Sequence, residues 1–315
     1  PMGKDPRGRS YQEHKFDRDQ PEIHERLREI RQIFDAYPGD RVAIGETYFD
    51  DPRELMAYSG KDQDELHLPF NFSLINLPWE AGKFRREIGN YYAALLPGAA
   101  PNFVLGNHDR HRLASRYGQE NHRSAALLLL TLKGSPTLYY GDELGMIDGE
   151  IPPERYQDPV MTRKPDTDEG RDPERTPMQW DSSPNAGFSP AGVDTWLPVN
   201  PDFQKINVQD ELKDPDSTLN YYRRLLAMRK SEPALQEGEI DLLGSMPDEV
   251  LAFTRIADTQ TLLVAINFGY QIHRVELPEQ VQGGAAIFST LPGETKLDRT
   301  NLWLRPHEGV LIARR

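Results

Sequence analysis

A short apolar strand that ends in a glycine and then in reactive side chains occurs twice in this chain. The strand Asn102–Leu105 is followed by Gly-Asn-His-Asp at positions 106–109, and Arg41–Gly45 is followed directly by Glu46. In parallel β/α folds, functional side chains lie at the carboxyl ends of the strands. The pattern therefore predicts parallel strands that carry Glu46 and Asp109 at such ends.

Strands and helices alternate along the first half of the chain. The predicted strands are Arg41–Gly45, Leu66–Phe72, Asn102–Leu105 and Ser135–Tyr140. The predicted helices, recognised mainly by apolar residues at helical spacing, are Asp19–Asp35, Pro52–Tyr58, Glu80–Leu96 and His122–Leu132. Residues 1–19 are polar and charge-rich and are interpreted as a loop. The alternation predicts parallel β/α units and so an α/β fold.

The pattern changes after Gly141. Residues 141–215 are rich in proline, glycine and aspartate and predict a long functional loop, because idle connections are rarely of this length. A helix is predicted over Ser217–Arg229, and short β-rich runs follow it at Val250–Ile256, Thr261–Asn267, Gln271–Leu277, Ala285–Phe288 and 310–314. We therefore predict two domains, an α/β domain over residues 1–232 and an all-β antiparallel sandwich over residues 233–315.

Composition argues against several classes of function. The 315 residues carry a formal net charge of −13 with basic and acidic residues interspersed, which argues against nucleic acid as a partner. The longest apolar stretch, Ala125–Leu132, is too short to span a bilayer, so no membrane partner is expected. The chain has no cysteine, which excludes disulfides and thiolate metal sites and favours a cytoplasmic location.

Each short motif also has a purely structural explanation. A glutamate that follows a strand, such as Glu46, is usually a solvated surface acid. The run 107–109 can form an Asx-type turn that caps the next helix, because Asn and Asp side chains accept backbone N–H bonds. The run Arg175–Trp180 can simply pack within a long loop. The occurrence of all three motifs in this order favours a functional explanation.

Taken together, the motifs resemble those of the α-amylase superfamily, with the α-glucosidases and oligo-1,6-glucosidases as the nearest branch. The runs that carry the resemblance are Gly45-Glu46, the run 106–109, Gly-Ser-Pro-Thr-Leu-Tyr-Tyr-Gly-Asp-Glu-Leu-Gly-Met at 134–146, Arg-Asp-Pro-Glu-Arg-Thr-Pro-Met-Gln-Trp-Asp at 171–181 and Ala-Gly-Phe-Ser at 186–189. The resemblance covers nearly the whole chain. It implies the carboxyl-terminal half of a (β/α)8 TIM barrel, strands five to eight, followed by the small β-sandwich.

The same resemblance implies roles for four residues. Glu46 is expected to be the catalytic acid/base, and Asp109 to stabilise the transition state by holding hydroxyls of the sugar. His108 is expected to donate a hydrogen bond to the same hydroxyls, and Arg175 to close the substrate-binding pocket around the terminal glucose. Such chemistry needs flanking carboxyl groups, because the transition state of glycoside cleavage resembles an oxocarbenium ion.

The resemblance also implies a nucleophilic aspartate at the end of strand four, in a run like Gly-Phe-Arg-x-Asp, which these 315 residues do not contain. Asp17 and Asp19 lie in a polar stretch with no apolar strand before it and are poor substitutes. We therefore interpret the chain as a carboxyl-terminal portion without the first four strands, inactive alone. Its unpaired strand edges predict poor solubility or a partner in the missing amino-terminal half. No cofactor or metal is expected in these residues, and a structural calcium is implied only for that half.

The run Leu66–Phe72 resembles that of α-glucosidases and favours short, maltose-like oligosaccharides with α-1,4 linkages. A transglycosylating or isomerising relative, such as a trehalose synthase or a sucrose isomerase, has the same motifs and stays open. A non-catalytic scaffold, similar to the heavy subunits of amino-acid transporters, is the alternative from another class. The presence of Glu46, His108 and Asp109 argues against a scaffold.

Overall fold

The structure is a computed structural model, and it describes residues 2–4, 10–12, 16, 19–163 and 170–314. The chain divides into two units, the first comprising residues 1–70 and 94–100, and the second residues 71–93 and 101–315. None of the described helices combines the length and the apolar character that crossing a membrane requires.

The described residues of the first unit form four short strands and two helices. Its elements are β1 (Met2–Lys4), β2 (Ser10–Gln12), α1 (Glu22–Ala36), β3 (Ile44–Gly45), α2 (Pro52–Ala57) and β4 (Leu68–Pro69). Strands β3 and β4 pair in parallel, with Ile44 opposite Leu68. Both helices and both parallel strands were predicted, and the strands are shorter than predicted.

The prediction of a loop over residues 1–19 is wrong for β1 and β2. These two strands pair antiparallel, with Met2 opposite Gln12 and Lys4 opposite Ser10. Antiparallel pairing uses backbone N–H and C=O groups, so a polar sequence without an apolar pattern can still form it. Most of the remaining residues of this segment, Asp17 among them, lie outside the described residues.

Helix α1 buries none of its residues, although its apolar side chains recur at helical spacing. Ile30 and Ile33 are 43% and 58% exposed. Ion pairs hold the helix within its unit, because the buried carboxylate of Glu65 contacts His24 Nδ1 and Arg28 Nη1 at 2.7 Å each. Because Ile30 and Ile33 are exposed, the apolar face of α1 is largely accessible to solvent.

The second unit begins with further β/α elements. They are α3 (Ala81–Ala94, whose last residue belongs to the first unit), β5 (Asn102–Val104), α4 (Leu113–Tyr117), α5 (Gln119–Thr131) and β6 (Ser135–Thr137). Strands β5 and β6 pair in parallel, with Asn102 opposite Ser135. Helix α5 is buried over most of its length, as its apolar sequence predicts. The predicted alternation of strand and helix is confirmed, apart from the additional helix α4.

In the long segment after β6, the residues outside 164–169 form 3-10 turns and short helices. The helices are α6 (Pro159–Arg163) and α7 (Val208–Glu211), followed by the longer α8 (Thr218–Ser231) and by α9 (Pro233–Gln236). Leu144, Met146 and Met178 form a small apolar cluster that anchors the segment. The predicted irregular segment and the helix after it are confirmed.

The remaining strands form an antiparallel sandwich, as predicted. They are β7 (Glu239–Leu242), β8 (Val250–Ala257), β9 (Gln260–Asn267), β10 (His273–Glu276), β11 (Ala285–Ser289), β12 (Lys296–Leu297), β13 (Asn301–Leu304) and β14 (Gly309–Ala313). One sheet has the order β11-β14-β9-β8-β7 and the other β10-β13-β12. Both sheets contribute to one buried apolar cluster, which includes Leu263 and Val310 from the first and Leu302 from the second. The domain boundary between residues 232 and 233 stays a prediction.

A buried arginine connects the sandwich to the helices of the second unit. Arg255, on β8, has no solvent-exposed surface. Its guanidinium donates to the carbonyl oxygens of Thr131 at 2.6 Å, Leu235 at 3.1 Å and Gly238 at 2.9 Å. Thr131 is the last residue of α5, and the other two carbonyls lie at the end of α9. Burial lowers the pKa of Arg255 to about 10, so the side chain stays charged at neutral pH.

Candidate active site

Glu46 follows β3 directly after Gly45, which lies close to another side chain. A Cβ atom on Gly45 would overlap the Leu66 side chain, so a larger residue there would require Leu66 to move. Glu46 itself is exposed, and the Tyr48 hydroxyl donates a hydrogen bond to its Oε1 at 3.2 Å. The carboxyl group is therefore accessible to a ligand that approaches the end of β3.

The loop after β5 holds Asp109 through an Asx turn. The Asn107 Oδ1 atom accepts the backbone N–H of Asp109 at 3.0 Å. This turn does not cap the next helix, because Arg112 is the N-cap residue of α4 and makes no side-chain capping bond. The Asx-turn explanation is thus correct for Asn107, but the Asp109 carboxylate has other partners.

Two arginines from the long loop converge on the Asp109 carboxylate. Its Oδ1 atom accepts from Arg175 Nη2 at 2.8 Å and from Arg171 Nη1 at 3.0 Å. Arg175 Nε also donates to the backbone carbonyl of His108 at 2.8 Å. The His108 ring is 53% exposed, with Nε2 3.5 Å from the same Asp109 oxygen. Asp109 is therefore fixed in orientation while the imidazole remains accessible.

Arg171 joins Asp109 to a second carboxylate. Its Nε atom donates to Asp158 Oδ2 at 2.8 Å, and its backbone N–H donates to the same oxygen at 3.0 Å. The hydrogen bond from Arg171 lowers the pKa of Asp158 to about 2, and these contacts raise the pKa of Arg171. In turn, the Asp172 carboxylate accepts the backbone N–H of Asp158 at 3.0 Å. Both ends of the 158–172 segment are thereby tied together.

Two tyrosines after β6 position the turn that carries Arg175. Tyr139 donates from its hydroxyl to the carbonyl of Glu174 at 3.3 Å, and Tyr140 donates to the carbonyl of Thr176 at 2.7 Å. These contacts flank Arg175 on both sides in the sequence. The end of β6 therefore sets the position of the arginine that contacts Asp109.

A cavity of about 340 Å³ adjoins this cluster, and its lining includes Asp109, His111, Tyr117 and Glu174. That volume lies at the lower end of the range for small-molecule sites. Burial raises the pKa of Glu174 to about 7, because its carboxyl group is removed from water. The second unit thus offers a small cavity beside the Asp109 carboxylate, with both charged and apolar residues in its lining.

Of the predicted site residues, the structure brings Asp109, His108 and Arg175 together. Glu46 lies in the first unit, and its catalytic pairing with Asp109 stays a prediction. Asp19 accepts a hydrogen bond from the Tyr58 hydroxyl at 2.8 Å. Arg171 was not among the predicted site residues, although it lies four residues before Arg175 in the same motif. Two arginines four residues apart in one predicted loop could have indicated that both contact the same carboxylate.

Comparison with known families decides the classification. The model of the α-amylase catalytic domain matches residues 2–238, and that of the alpha-amylase SusG C-terminal domain matches residues 250–311. The chain belongs to the α-amylase family. The α/β part and the β-sandwich of this α-amylase family chain therefore correspond to a partial TIM barrel and the all-β domain that follows it.

Several known members are similar to this α-amylase family chain. Maltase 1 of Drosophila virilis is 32% identical over 98% of this chain and 52% of its own length. The oligo-1,6-glucosidase of Parageobacillus thermoglucosidasius is 30% identical over 83% of this chain and 52% of its own length. The crystal structure of the alpha-glucosyl transfer enzyme XgtA is 32% identical with a TM-score of 0.86, covering 97% of this chain and 56% of that one. The chain spans about half the length of the curated relatives it matches.

Proposed function

We propose that this chain is the carboxyl-terminal portion of a retaining α-glucosidase that removes terminal α-linked glucose from short oligosaccharides. The observation that carries the proposal is the Asp109 carboxylate, held by Arg171 and Arg175 beside the exposed His108 ring. Membership of the α-amylase family and the similarity to a maltase and to an oligo-1,6-glucosidase support it.

In the proposed mechanism, the sugar lies against the loop after β5. Asp109 accepts hydrogen bonds from two hydroxyls of the terminal glucose, and these bonds strengthen as positive charge develops on the ring. His108 donates to the same hydroxyls. Glu46 protonates the glycosidic oxygen of the leaving group and later removes a proton from the attacking water. A retaining reaction also needs a nucleophile about 5 Å from the acid, which we assign to an aspartate outside these 315 residues.

Exchange of Glu46 for glutamine tests this assignment in the natural full-length protein. We expect kcat on an aryl α-glucoside to fall about a hundredfold to ten-thousandfold, because the amide cannot donate the required proton. The fold should be retained, since Glu46 is exposed. Glu54→Gln, which changes another exposed acid in the same unit, is the matched control and should leave kcat unchanged. Near-normal turnover by Glu46→Gln would remove this residue from the mechanism.

The proposed linkage preference is α-1,4, as the run Leu66–Phe72 favours. We expect the full-length protein to hydrolyse maltose with a higher kcat/KM than isomaltose. Faster turnover of isomaltose would contradict the preference without affecting the assignment of Glu46 and Asp109. Glucose release from each disaccharide, measured under identical conditions, provides the comparison.

Glucosyl transfer is a second candidate, because this chain is similar in structure to an alpha-glucosyl transfer enzyme. Transfer and hydrolysis share the acid and the stabilising carboxylate and differ in whether water or a sugar accepts the glucosyl group. Chromatography of the products formed from maltose and from sucrose distinguishes them. Free glucose as the main early product supports hydrolysis, whereas new oligosaccharides or isomerised disaccharides support the alternative.

A further inference from the structure

Three potential metal ligands converge beside the Asp109 loop. They are His111 from the loop before α4, Asp148 from the segment after the 142–144 turn and Glu174 from the 173–175 turn, and their ligand atoms all lie within 4.8 Å of one another. His111 Nδ1 and Asp148 Oδ2 are 2.8 Å apart. The three side chains therefore come from separate loops of the second unit and share one small space.

One carboxylate oxygen of the buried Glu174 side chain has no hydrogen-bond partner among the described residues. The residue is only 1% exposed, and its buried Oε2 atom makes no hydrogen bond to any residue that the structure describes. A buried carboxylate oxygen is costly unless a proton or a cation satisfies it. The orphaned oxygen belongs to the same cluster as the imidazole of His111 and the carboxylate of Asp148. A bound cation would supply the missing interaction.

Asp148 is already held in place for such a role. Its Oδ1 atom accepts the backbone N–H of Arg112 at 2.7 Å, and its own N–H donates to Ser115 Oγ at 2.8 Å. This leaves Oδ2 directed at His111. Arg175 directly follows Glu174 in the sequence, and its guanidinium is paired with Asp109 at 2.8 Å. The neighbouring arginine is thus largely compensated within the second unit.

The ligand set specifies the class of ion. One imidazole nitrogen and two carboxylate oxygens suit Zn²⁺ and related divalent transition metals, whereas Ca²⁺ and Mg²⁺ prefer oxygen ligands alone. In a tetrahedral zinc site with bonds of about 2.0–2.2 Å, the ligand atoms lie about 3.3–3.6 Å from one another. Binding therefore requires the cluster, whose ligand atoms spread over up to 4.8 Å, to close by about 1 Å, and the 2.8 Å contact between His111 and Asp148 to open slightly. His111 is 33% exposed, so the ion has access from solvent.

We propose that His111, Asp148 and Glu174 bind one divalent transition-metal ion, for which Zn²⁺ is the probe. The site revises the expectation of no metal in these residues and is independent of the proposed glucosidase activity. Because Glu174 directly precedes Arg175, the ion would fix the turn of that arginine to the loop of Asp109. Its role would be to stabilise this arrangement of loops rather than to take part in the reaction.

Calorimetric titration of the chelator-treated full-length protein with Zn²⁺ tests the site. We expect one binding event that Glu174→Gln and His111→Ala each weaken at least tenfold. His273→Ala is the matched control, because His273 also pairs with a carboxylate, Glu249, at 2.8 Å but belongs to no cluster of three metal ligands among the described residues. It should leave the affinity unchanged. Absence of zinc binding, or affinities that are equal in all four proteins, would overturn the proposal.

A protection experiment on the unsubstituted protein covers the case in which a variant fails to fold. Diethyl pyrocarbonate modifies accessible imidazoles, and peptide mass mapping reports the extent at each histidine. We expect Zn²⁺ to protect His111, while the exposed His108 and the control His273 react as before. Equal reaction of His111 with and without Zn²⁺ would overturn the proposal. Neither measurement depends on glycosidase activity, so failure of the metal site and failure of the proposed function are distinguishable.

Discussion

At the scale of single residues, the Asp109 carboxylate is held by two guanidinium groups that differ in what else they bind. Arg175 also binds the backbone of the same loop, whereas Arg171 extends to Asp158. A planar guanidinium can serve two carboxylates at once because its donors point in fixed directions. Arg171 is therefore a positioning residue that links the Asp109 loop to the 158–172 segment.

Exchange of Arg171 for lysine tests that role. A lysine ammonium carries all its donors on one nitrogen and cannot reproduce the separate Nε and Nη1 donors that reach Asp158 and Asp109. We therefore expect kcat/KM of the full-length protein on an aryl α-glucoside to fall about tenfold to a hundredfold. Most of the loss should appear in kcat, because a stabiliser of the transition state would be misaligned.

Arg155→Lys is the control for this substitution. Arg155 lies in the same long segment and pairs with Asp194 at 3.5 Å, and its Nη2 donates to the Thr195 carbonyl at 2.7 Å. Among the described residues, its ion pair and hydrogen bond go to residues 194 and 195 and not to Asp109 or Asp158. We expect it to change kcat/KM by less than about twofold. Equal losses in the two variants would contradict a specific role for Arg171.

At the scale of elements, the helices were predictable because most carry apolar residues at helical spacing, and some also carry a local signal at their start. Helix α2 follows Asp51, which accepts the N–H of Arg53, and α8 follows Ser217, which accepts the N–H of Asn220. Such capping depends on residues that are adjacent in the sequence. The predicted bounds therefore differ from the observed ones by only a few residues.

The strands were less predictable because their length depends on pairing. The prediction for β3 began at Arg41, but only Ile44 and Gly45 form a ladder, and Ile44 is 53% exposed. Among the described residues β3 pairs with β4 alone. Three short strands of the sandwich, β7, β12 and β13, were not predicted. Apolar alternation over two to four residues is too brief a signal.

The candidate site was predictable only where its residues are close in the sequence or share a motif. His108 and Asp109 are neighbours, and Arg175 belongs to a motif that the family resemblance associates with them. The contacts of Arg171 with Asp158 and the cluster around Glu174 join loops that are distant in the sequence. No local pattern encodes such a meeting, so the structure was needed to find it.

The buried Arg255 gives a prediction for how the sandwich attaches to helices α5 and α9. Replacement by methionine keeps much of the side-chain volume but leaves three carbonyl oxygens without their charged donor. We expect the free energy of unfolding to fall by about 3–5 kcal/mol, as for other broken buried charge networks. Urea unfolding followed by circular dichroism measures this change.

Arg274→Met is the matched control for the methionine exchange. Arg274 lies on β10 and is exposed. Its replacement should change the free energy of unfolding by less than about 0.5 kcal/mol, as for ordinary surface positions. Similar losses from both substitutions would show that the carbonyl contacts of Arg255 contribute little.

At the scale of the whole molecule, the chain matches about half the length of its relatives. Within the first unit, α1 buries no residue and leaves Ile33 largely exposed. Accessible apolar faces and unpaired strand edges promote association. We predict that the 315 residues expressed alone aggregate and do not hydrolyse an aryl α-glucoside.

Sedimentation velocity and an aryl-glucoside assay check this prediction. Co-expression with a segment that corresponds to the other half of its relatives is the matched comparison, and it should restore both a soluble species and turnover. A monodisperse, active preparation of the 315 residues alone would contradict the prediction.

The hydrogen bonds between the two ends of the 158–172 segment make the position of Arg171 independent of the length of chain between those ends. Asp158 binds both the backbone and the side chain of Arg171, and Asp172 binds the backbone of Asp158. Insertions, deletions or a proteolytic cut between these anchors should therefore leave Arg171 in register with Asp109. The stretch between the anchors is thereby free to diverge in sequence among related proteins while Arg171 keeps its contact with Asp109.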